Sequence, residues 1–412
     1  MINFRMLKLS DSWLWLATGL LVGLSFFLVF SATYRLQIRV DADPLFFIKR
    51  HFISLLVALA GLSFFCYLDY QRLRKAAPYL YGVMILLLVA IIISGSSAQG
   101  AQRWLSLGPL SFQPSEISKL ILIMALASFF YKRKKIESLT DAGYLLALVF
   151  LPFLLIFKQP DLGTALVFIV ILIGMLAASE TSPLLLALLV TPVISLLLRP
   201  CLWLWFPYLA VLVIILFLIR ASAWEWFLIL GVNIGVGIAL PLIWHALKAY
   251  QRLRIVAFLN PAADPFGAGY HTLQSKIAIG SGGLIGKGFL CGSQTQLQFI
   301  PEQHSDFIFS VLGEEFGFLG SLAVMAIFAV MIWRMVTLAA QASEPFGRML
   351  VLGIAVMTAF HLLANIGMAV GILPVVGIPL PFLSYGGSSL FMNLAAVGIV
   401  QSVAMRRQKL IF

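Results

Sequence analysis

This sequence has little charge. Charged residues make up 11% of the 412 and apolar types 61%, proportions that exclude an ordinary soluble domain. Cysteine is scarcer still. Cys66, Cys201 and Cys291 offer neither an even-numbered disulfide framework nor metal-ligand spacing, and they read as small apolar residues. The five histidines (His51, His245, His271, His304, His361) are scattered without ligand spacing, so no metal site can be argued from them. Nor can a Ser-His-Asp arrangement. No basic stripe is interleaved with aromatics, which removes the case for nucleic acid. No repeat of solenoid period is visible. The 28 Lys and Arg against 16 Asp and Glu leave a formal charge of +12, which suits loops facing anionic lipid or an anionic substrate.

Long apolar runs are what the sequence does have. A run of about 18 residues or more crosses the hydrocarbon core as a helix. Segments of this kind fall near 13–33, 51–67, 78–96, 114–131, 142–158, 163–180, 183–198, 202–219, 224–247, 307–333, 349–371 and 388–404. The reading is an all-α polytopic membrane protein forming one integral domain over 1–412, with twelve spans and both termini on one side. The first stretch is too long for a signal-peptide core and is read as a retained span. The boundary between 183–198 and 202–219 rests on Arg199-Pro200-Cys201 alone.

The densest basic cluster, Lys132 to Lys135, sets the orientation. It places both termini in the cytoplasm. One large polar connection, 250–305, then lies outside, together with the irregular stretch GILPVVGIPLPFLSYGGSS, Gly371 to Ser389. Non-helical backbone at membrane depth is tolerated only where it lines a protein cavity.

The few acidic residues are crowded. Glu302, Asp306, Glu314 and Glu315 fall within FIPEQHSDFIFSVLGEEFG. Asp306 stands where the outer loop becomes a span, and two roles fit it. One is an N-cap stabilised by the helix dipole; the other is a general base beside a low-dielectric cavity. In QPSEISK, Glu116 and Lys119 share a helix face, as a mutually neutralising pair or as part of a site. Arg103 and Trp104 precede them on the same side. In KQPDLGT, Asp161 reads as a turn and cap residue. Arg252 and Arg254 fit either an interfacial anchor or a diphosphate contact. SGGLIGKG has the glycines of a phosphate loop without its spacing or strand context.

In order, AQRWL, QPSEISK, KQPDLGT, DPFGAGYHTLQSKIAIGSGGLIGKG, PEQHSDFIF, GEEFG and GILPVVGIPLPFLSYGGSS resemble the SEDS family (shape, elongation, division and sporulation) from about residue 10 to the C-terminus. QSKIAIGSGGLIGKGFLCGSQTQLQFIPEQHSDFIF is more similar to its RodA-like elongation members than to its FtsW-like division members. The resemblance implies a bundle of ten core helices. Four segments between Thr164 and Tyr250, where such members have two, point to an inserted helical pair at 183–219.

The resemblance also implies a peptidoglycan glycosyltransferase of the bacterial cytoplasmic (inner) membrane. Such an enzyme polymerises lipid II, an undecaprenyl-diphosphate-linked disaccharide peptide, at the outer face. It works within a membrane-embedded elongation complex alongside a class B penicillin-binding protein transpeptidase. The implied catalytic residue is Asp306, with Glu116 and Lys119 in the site. Arg103, Trp104, Lys276, Lys287, Arg252, Glu302, His304 and Ser384 are candidate substrate contacts. The residues neither require nor exclude a divalent cation, and no other cofactor is implied. A flippase or transporter of the same lipid-linked precursor is the alternative. It would need ionisable groups spread through the bilayer's depth, whereas here they gather toward one face.

Overall fold

Twelve apolar helices dominate the computed structural model, which describes residues 9–94, 96–98, 101–107, 110–133, 136, 138–159, 161–247, 252–253, 256 and 268–407. Along the chain they are α1 (Ser12–Arg39), α2 (Phe46–Tyr67), α3 (Tyr70–Ser94), α4 (Pro114–Lys132), α5 (Leu139–Lys158) and α6 (Leu162–Ala177), then α7 (Pro183–Leu198), α8 (Leu202–Leu218) and α9 (Ala223–Ala246). Two shorter helices, α10 (Ala268–Ser281) and α11 (Ser293–Leu297), precede α12 (Ile308–Ala340), α13 (Pro345–Ala369) and α14 (Gly387–Met405). Among the described residues nine helices are long and apolar enough to span a bilayer, and α6, α7 and α8 are shorter apolar helices. The twelve expected segments therefore all exist as helices. Residues 199–201 do separate two of them.

Between α3 and α4 the apolar pattern marks no element. The structure has a small antiparallel sheet instead: β1 (Ser96–Ala98), β2 (Ala101–Leu107) and β3 (Leu110–Phe112), in the order β1-β2-β3. Ser96 pairs with Trp104, and Leu105 with Phe112, which fixes the backbone of AQRWL on the middle strand.

The core is built around α14, which is buried over nearly its whole length, with α4 and α13 mostly buried beside it. Small residues allow this. A Cβ on Gly398 would lie 2.5 Å from the carbonyl oxygen of Leu62, so α2 and α14 touch almost backbone to backbone, the close approach that packs helices in lipid. The outward faces of the bundle carry large apolar side chains, as a lipid-facing surface does.

Contacts between ends agree with the expected alternation of spans. At one end, Asp11 pairs with Arg334, its amide donates to Gln401 Oε1 at 2.8 Å, and Arg406 donates to the Tyr67 carbonyl at 2.9 Å. Arg72, Arg74, Lys132, Arg133 and Arg348 belong to helix ends on this side. The opposite end gathers the starts of α4, α6, α12 and α14.

α7, α8 and α9 form a side lobe with its own small apolar cluster of Leu212, Leu216 and Ile229. Polar groups staple its interior. Trp205 Nε1 donates to Ser195 Oγ at 2.9 Å, and Asn233 Nδ2 donates to Thr191 Oγ1 at 2.8 Å. α7 joins the lobe to α6, and α8 lies outermost, with Trp203 90% exposed.

A carboxylate and a buried ion pair at one end of the bundle

Residues 301–307 form a run of turns leading into α12. Glu302 adopts a left-handed φ of 51°, and its carbonyl accepts the amides of Ser305 and Asp306, both at 3.1 Å. The N-cap of α12 is Phe307. Asp306 stands one residue earlier, so the expected cap role is corrected. The position stays at the positive end of the helix dipole, and its half-buried carboxylate belongs to the turn rather than to the cap.

Three residues hold this turn. Asn365 on α13 donates through Nδ2 to the carbonyls of Asp306 and Ile378, each at 2.8 Å. Ser384, itself buried, donates to the Ser305 carbonyl at 2.6 Å and accepts from the Leu380 amide at 2.8 Å. The Tyr385 amide reaches the His304 carbonyl at 2.8 Å. The proline- and glycine-rich stretch 371–386 is therefore stitched along the turn that carries Asp306. A Cβ on Gly377 would lie 3.3 Å from Asp306 Oδ2.

One helical turn from Asn365, His361 completes a buried charge set. Lys119 Nζ is 2.7 Å from Glu116 Oε1 and 3.1 Å from His361 Nε2. His361 Nδ1 lies 2.7 Å from the Met357 carbonyl, which requires the proton on Nδ1 and leaves Nε2 to accept from the ammonium. All three side chains are buried. A charged pair so far from water needs its hydrogen bonds filled, and His361 fills one that the sequence reading missed. The signal was present: a histidine and an asparagine four residues apart inside an apolar span share one face.

α4 and α6 meet at Asp161. Its carboxylate caps α6 through the Thr164 amide at 3.2 Å and also accepts Ser115 Oγ and Gln113 Nε2, each at 3.2 Å. The cap reading of Asp161 holds, and the same group ties QPSEISK to KQPDLGT.

The other candidate contacts are spread more widely. His304 sits between the rings of Phe47 and Tyr385, at centroid distances of 5.2 and 5.5 Å, with Glu302 Oε2 at 3.9 Å from its Nε2. Burial pushes its imidazole below the ordinary histidine range, with Glu302 pulling the other way. Lys276 is exposed on α10, and that helix is tied to the site by Ser275, whose Oγ is 2.6 Å from both Ser310 Oγ and the Ala369 carbonyl. Arg252 is half-buried. Lys287 is engaged with Glu314 at 2.9 Å. Arg103 and Trp104 lie on β2, and Arg254 and residues 257–267, which include the DPFG that opens DPFGAGYH, fall outside the described residues. Among the described residues no three of His, Cys, Asp and Glu converge as metal ligands.

Together these observations define a polytopic helical membrane protein whose polar machinery is concentrated at one end of the bundle. The FtsW/RodA/SpoVE family of cell cycle proteins matches over residues 11–210 and 205–409, and the chain belongs to that family. It is 42% identical over 335 residues to the peptidoglycan glycosyltransferase MrdB of Escherichia coli K12, covering 81% of this chain and 79% of that protein. It is 35% identical over 384 residues to a probable peptidoglycan glycosyltransferase FtsW of Trichlorobacter lovleyi, covering 92% and 88%. Two solved structures share the fold. One is a chain from a peptidoglycan synthase complex that coordinates polymerization and crosslinking (TM-score 0.72, 29% identity, 97% of this chain and 98% of that one). The other is the rod shape determining protein RodA of Thermus thermophilus (TM-score 0.63, 27% identity, 97% and 98%).

Proposed function

We propose that this chain is a peptidoglycan glycosyltransferase that polymerises lipid II into glycan strands for cell elongation and shape. The observation carrying this reading is the placement of Asp306: a half-buried carboxylate whose backbone is fixed by Asn365, on the helix face that also holds the Lys119–Glu116 pair through His361.

The reaction joins the 4-hydroxyl of one sugar to the anomeric carbon of another, whose leaving group is a polyprenyl diphosphate. A neutral hydroxyl is a weak nucleophile, so a base must take its proton as the new C–O bond forms. Asp306 is assigned that role. As the anomeric C–O bond breaks, its electron pair goes to the diphosphate, and prepositioned cations stabilise the charge. Lys119, Lys276, Arg252 and Arg103 are the candidates, with Glu116 and His361 holding Lys119. One displacement at the anomeric carbon inverts it, so an α-linked donor yields a β-linked strand with one essential carboxylate.

The basic helix ends gather opposite Asp306, which supports cytoplasmic termini and an active site on the outer face. The likeness to a chain of a polymerization and crosslinking complex supports a class B penicillin-binding protein as partner. The packing of α7 and α8 in a side lobe that meets the bundle through α6 supports 183–219 as an inserted pair.

Reconstituted protein supplied with labelled lipid II tests the assignment, with and without the cognate penicillin-binding protein. Glycan ladders that depend on Asp306 are expected. Leaflet exchange of lipid II without ladders would replace the polymerase reading with a flippase.

A further inference from the structure

α12 is not continuous. Gly317 has φ 65° and ψ −161°, which separates a short half, 308–316, from the long half 318–340. The glycine-rich stretch 281–288 occupies the break. The amides of Lys287 and Gly288 donate to the carbonyls of Glu314 and Glu315, both at 3.0 Å, and those of Phe318 and Leu319 donate to the carbonyls of Gly283 and Leu284 at 2.9 and 3.0 Å. The loop thereby supplies the hydrogen bonds that the break removes. A Cβ on Gly282 would run into the Gly313 carbonyl and one on Gly286 into the Glu315 carbonyl, so these two glycines of SGGLIGKG serve backbone contact, not a phosphate.

One side chain fastens this arrangement. Glu314 is fully buried, and five donors from the loop converge on it within 3.2 Å. Oε1 accepts Lys287 Nζ (2.9 Å), Ser293 Oγ (3.2 Å) and the Gln294 amide (2.9 Å); Oε2 accepts the Thr295 amide (2.8 Å) and Thr295 Oγ1 (2.7 Å). Lys287 also donates to Ser293 Oγ at 2.7 Å. The short half begins two residues after Asp306, and the break uncouples it from the rest of α12.

We propose that Glu314, through Lys287, is a positioning residue of the transfer reaction: it locks the loop 281–295 into the break of α12 and thereby fixes the half-helix that presents Asp306. The inference rests on Asp306 as the base, and it assigns Lys287 to this clamp instead of to the diphosphate. A shift of about 1 Å in a reacting group can cost on the order of 100-fold, so release of the clamp acts on turnover more than on substrate affinity.

Lys287→Met, Lys287→Arg, Glu314→Gln and the Lys287→Met/Glu314→Gln double variant are compared in lipid II polymerisation. Thermal unfolding and thiol labelling of Cys291 are followed in a Cys201→Ser background, which leaves Cys291 as the exposed cysteine. Lys287→Met and Glu314→Gln should each lower kcat roughly 10- to 100-fold, with KM for lipid II within about threefold of the parent. The double variant should be no worse than the poorer single one, as for groups acting as one unit. Lys287→Arg should keep most of the activity, and Cys291 should label faster in the two impaired variants. A raised KM with kcat kept would make Lys287 a diphosphate contact and overturn the proposal. So would losses that multiply in the double variant, or a Lys287→Met protein that is simply unfolded. Asp306→Asn is run alongside. If it keeps the parent's turnover, the base assignment fails, while Cys291 labelling still reports separately on the clamp.

Discussion

Removing the Glu116 carboxylate leaves the Lys119 ammonium buried with His361 as its remaining partner. Breaking a buried pair from one side costs about 3–5 kcal/mol, whereas replacing both members with apolar residues can be nearly neutral. Glu116→Gln should therefore lower the unfolding temperature clearly, and Glu116→Gln/Lys119→Met should recover most of that loss. Polymerisation should stay abolished in the double variant; if it returned with stability, the pair would be structural only. Asn365→Ala leaves the Asp306 and Ile378 carbonyls without this donor and should cost about 1–3 kcal/mol, together with turnover. His304 gives a pH test. Its folded imidazole is depressed by burial, so the unfolded chain binds the proton more readily and stability rises with pH. The penalty grows as pH falls below about 6.5 toward the depressed folded value. The unfolding temperature of the parent should drop across that window, and His304→Gln should flatten the dependence.

At the level of elements, hydropathy made the helices legible. α7 begins at Pro183 and α4 at Pro114, both as read from the chain, because proline is suited to the first helical turn. The elements that stayed hidden lack that signal. The residues from Ser96 to Phe112 are short and mixed in polarity, so their pairing into strands depends on tertiary surroundings that no local pattern encodes. The break in α12 was hidden because Gly317 sits inside an apolar run, where an isolated glycine is common. What opens the helix there is a loop from elsewhere in the chain. Asp306 was legible as a candidate base at the start of a span, while its exact relation to the cap was not, since one residue of offset separates a cap from a turn. The α2–α14 contact offers a test at this scale. Gly398→Val would drive a side chain into the Leu62 backbone, and overpacking of this kind costs about 1–3 kcal/mol, measurable as a lowered unfolding temperature.

Across the whole molecule, stability and chemistry are divided between a bundle and a side lobe. The site draws on α4, α6, α12, α13 and the stretch before α14, while α7–α9 pack chiefly on one another and meet the bundle at α6. Asn233→Leu removes the amide that links Thr191, Tyr208 and Ile229 inside the lobe. It should loosen the lobe by roughly 1 kcal/mol, the scale of polar contacts in lipid, and leave polymerisation within about twofold. A large loss of activity would tie the lobe to the reaction.

The most direct test of Asp306 as the base is the rate at which folded Asp306→Asn protein, purified beside the parent, converts lipid II into glycan strands. With Asp306 as the base, turnover should fall by about 100-fold or more, with lipid II still bound and the unfolding temperature close to the parent's. Strand synthesis at the parent's rate by the folded variant would contradict that role.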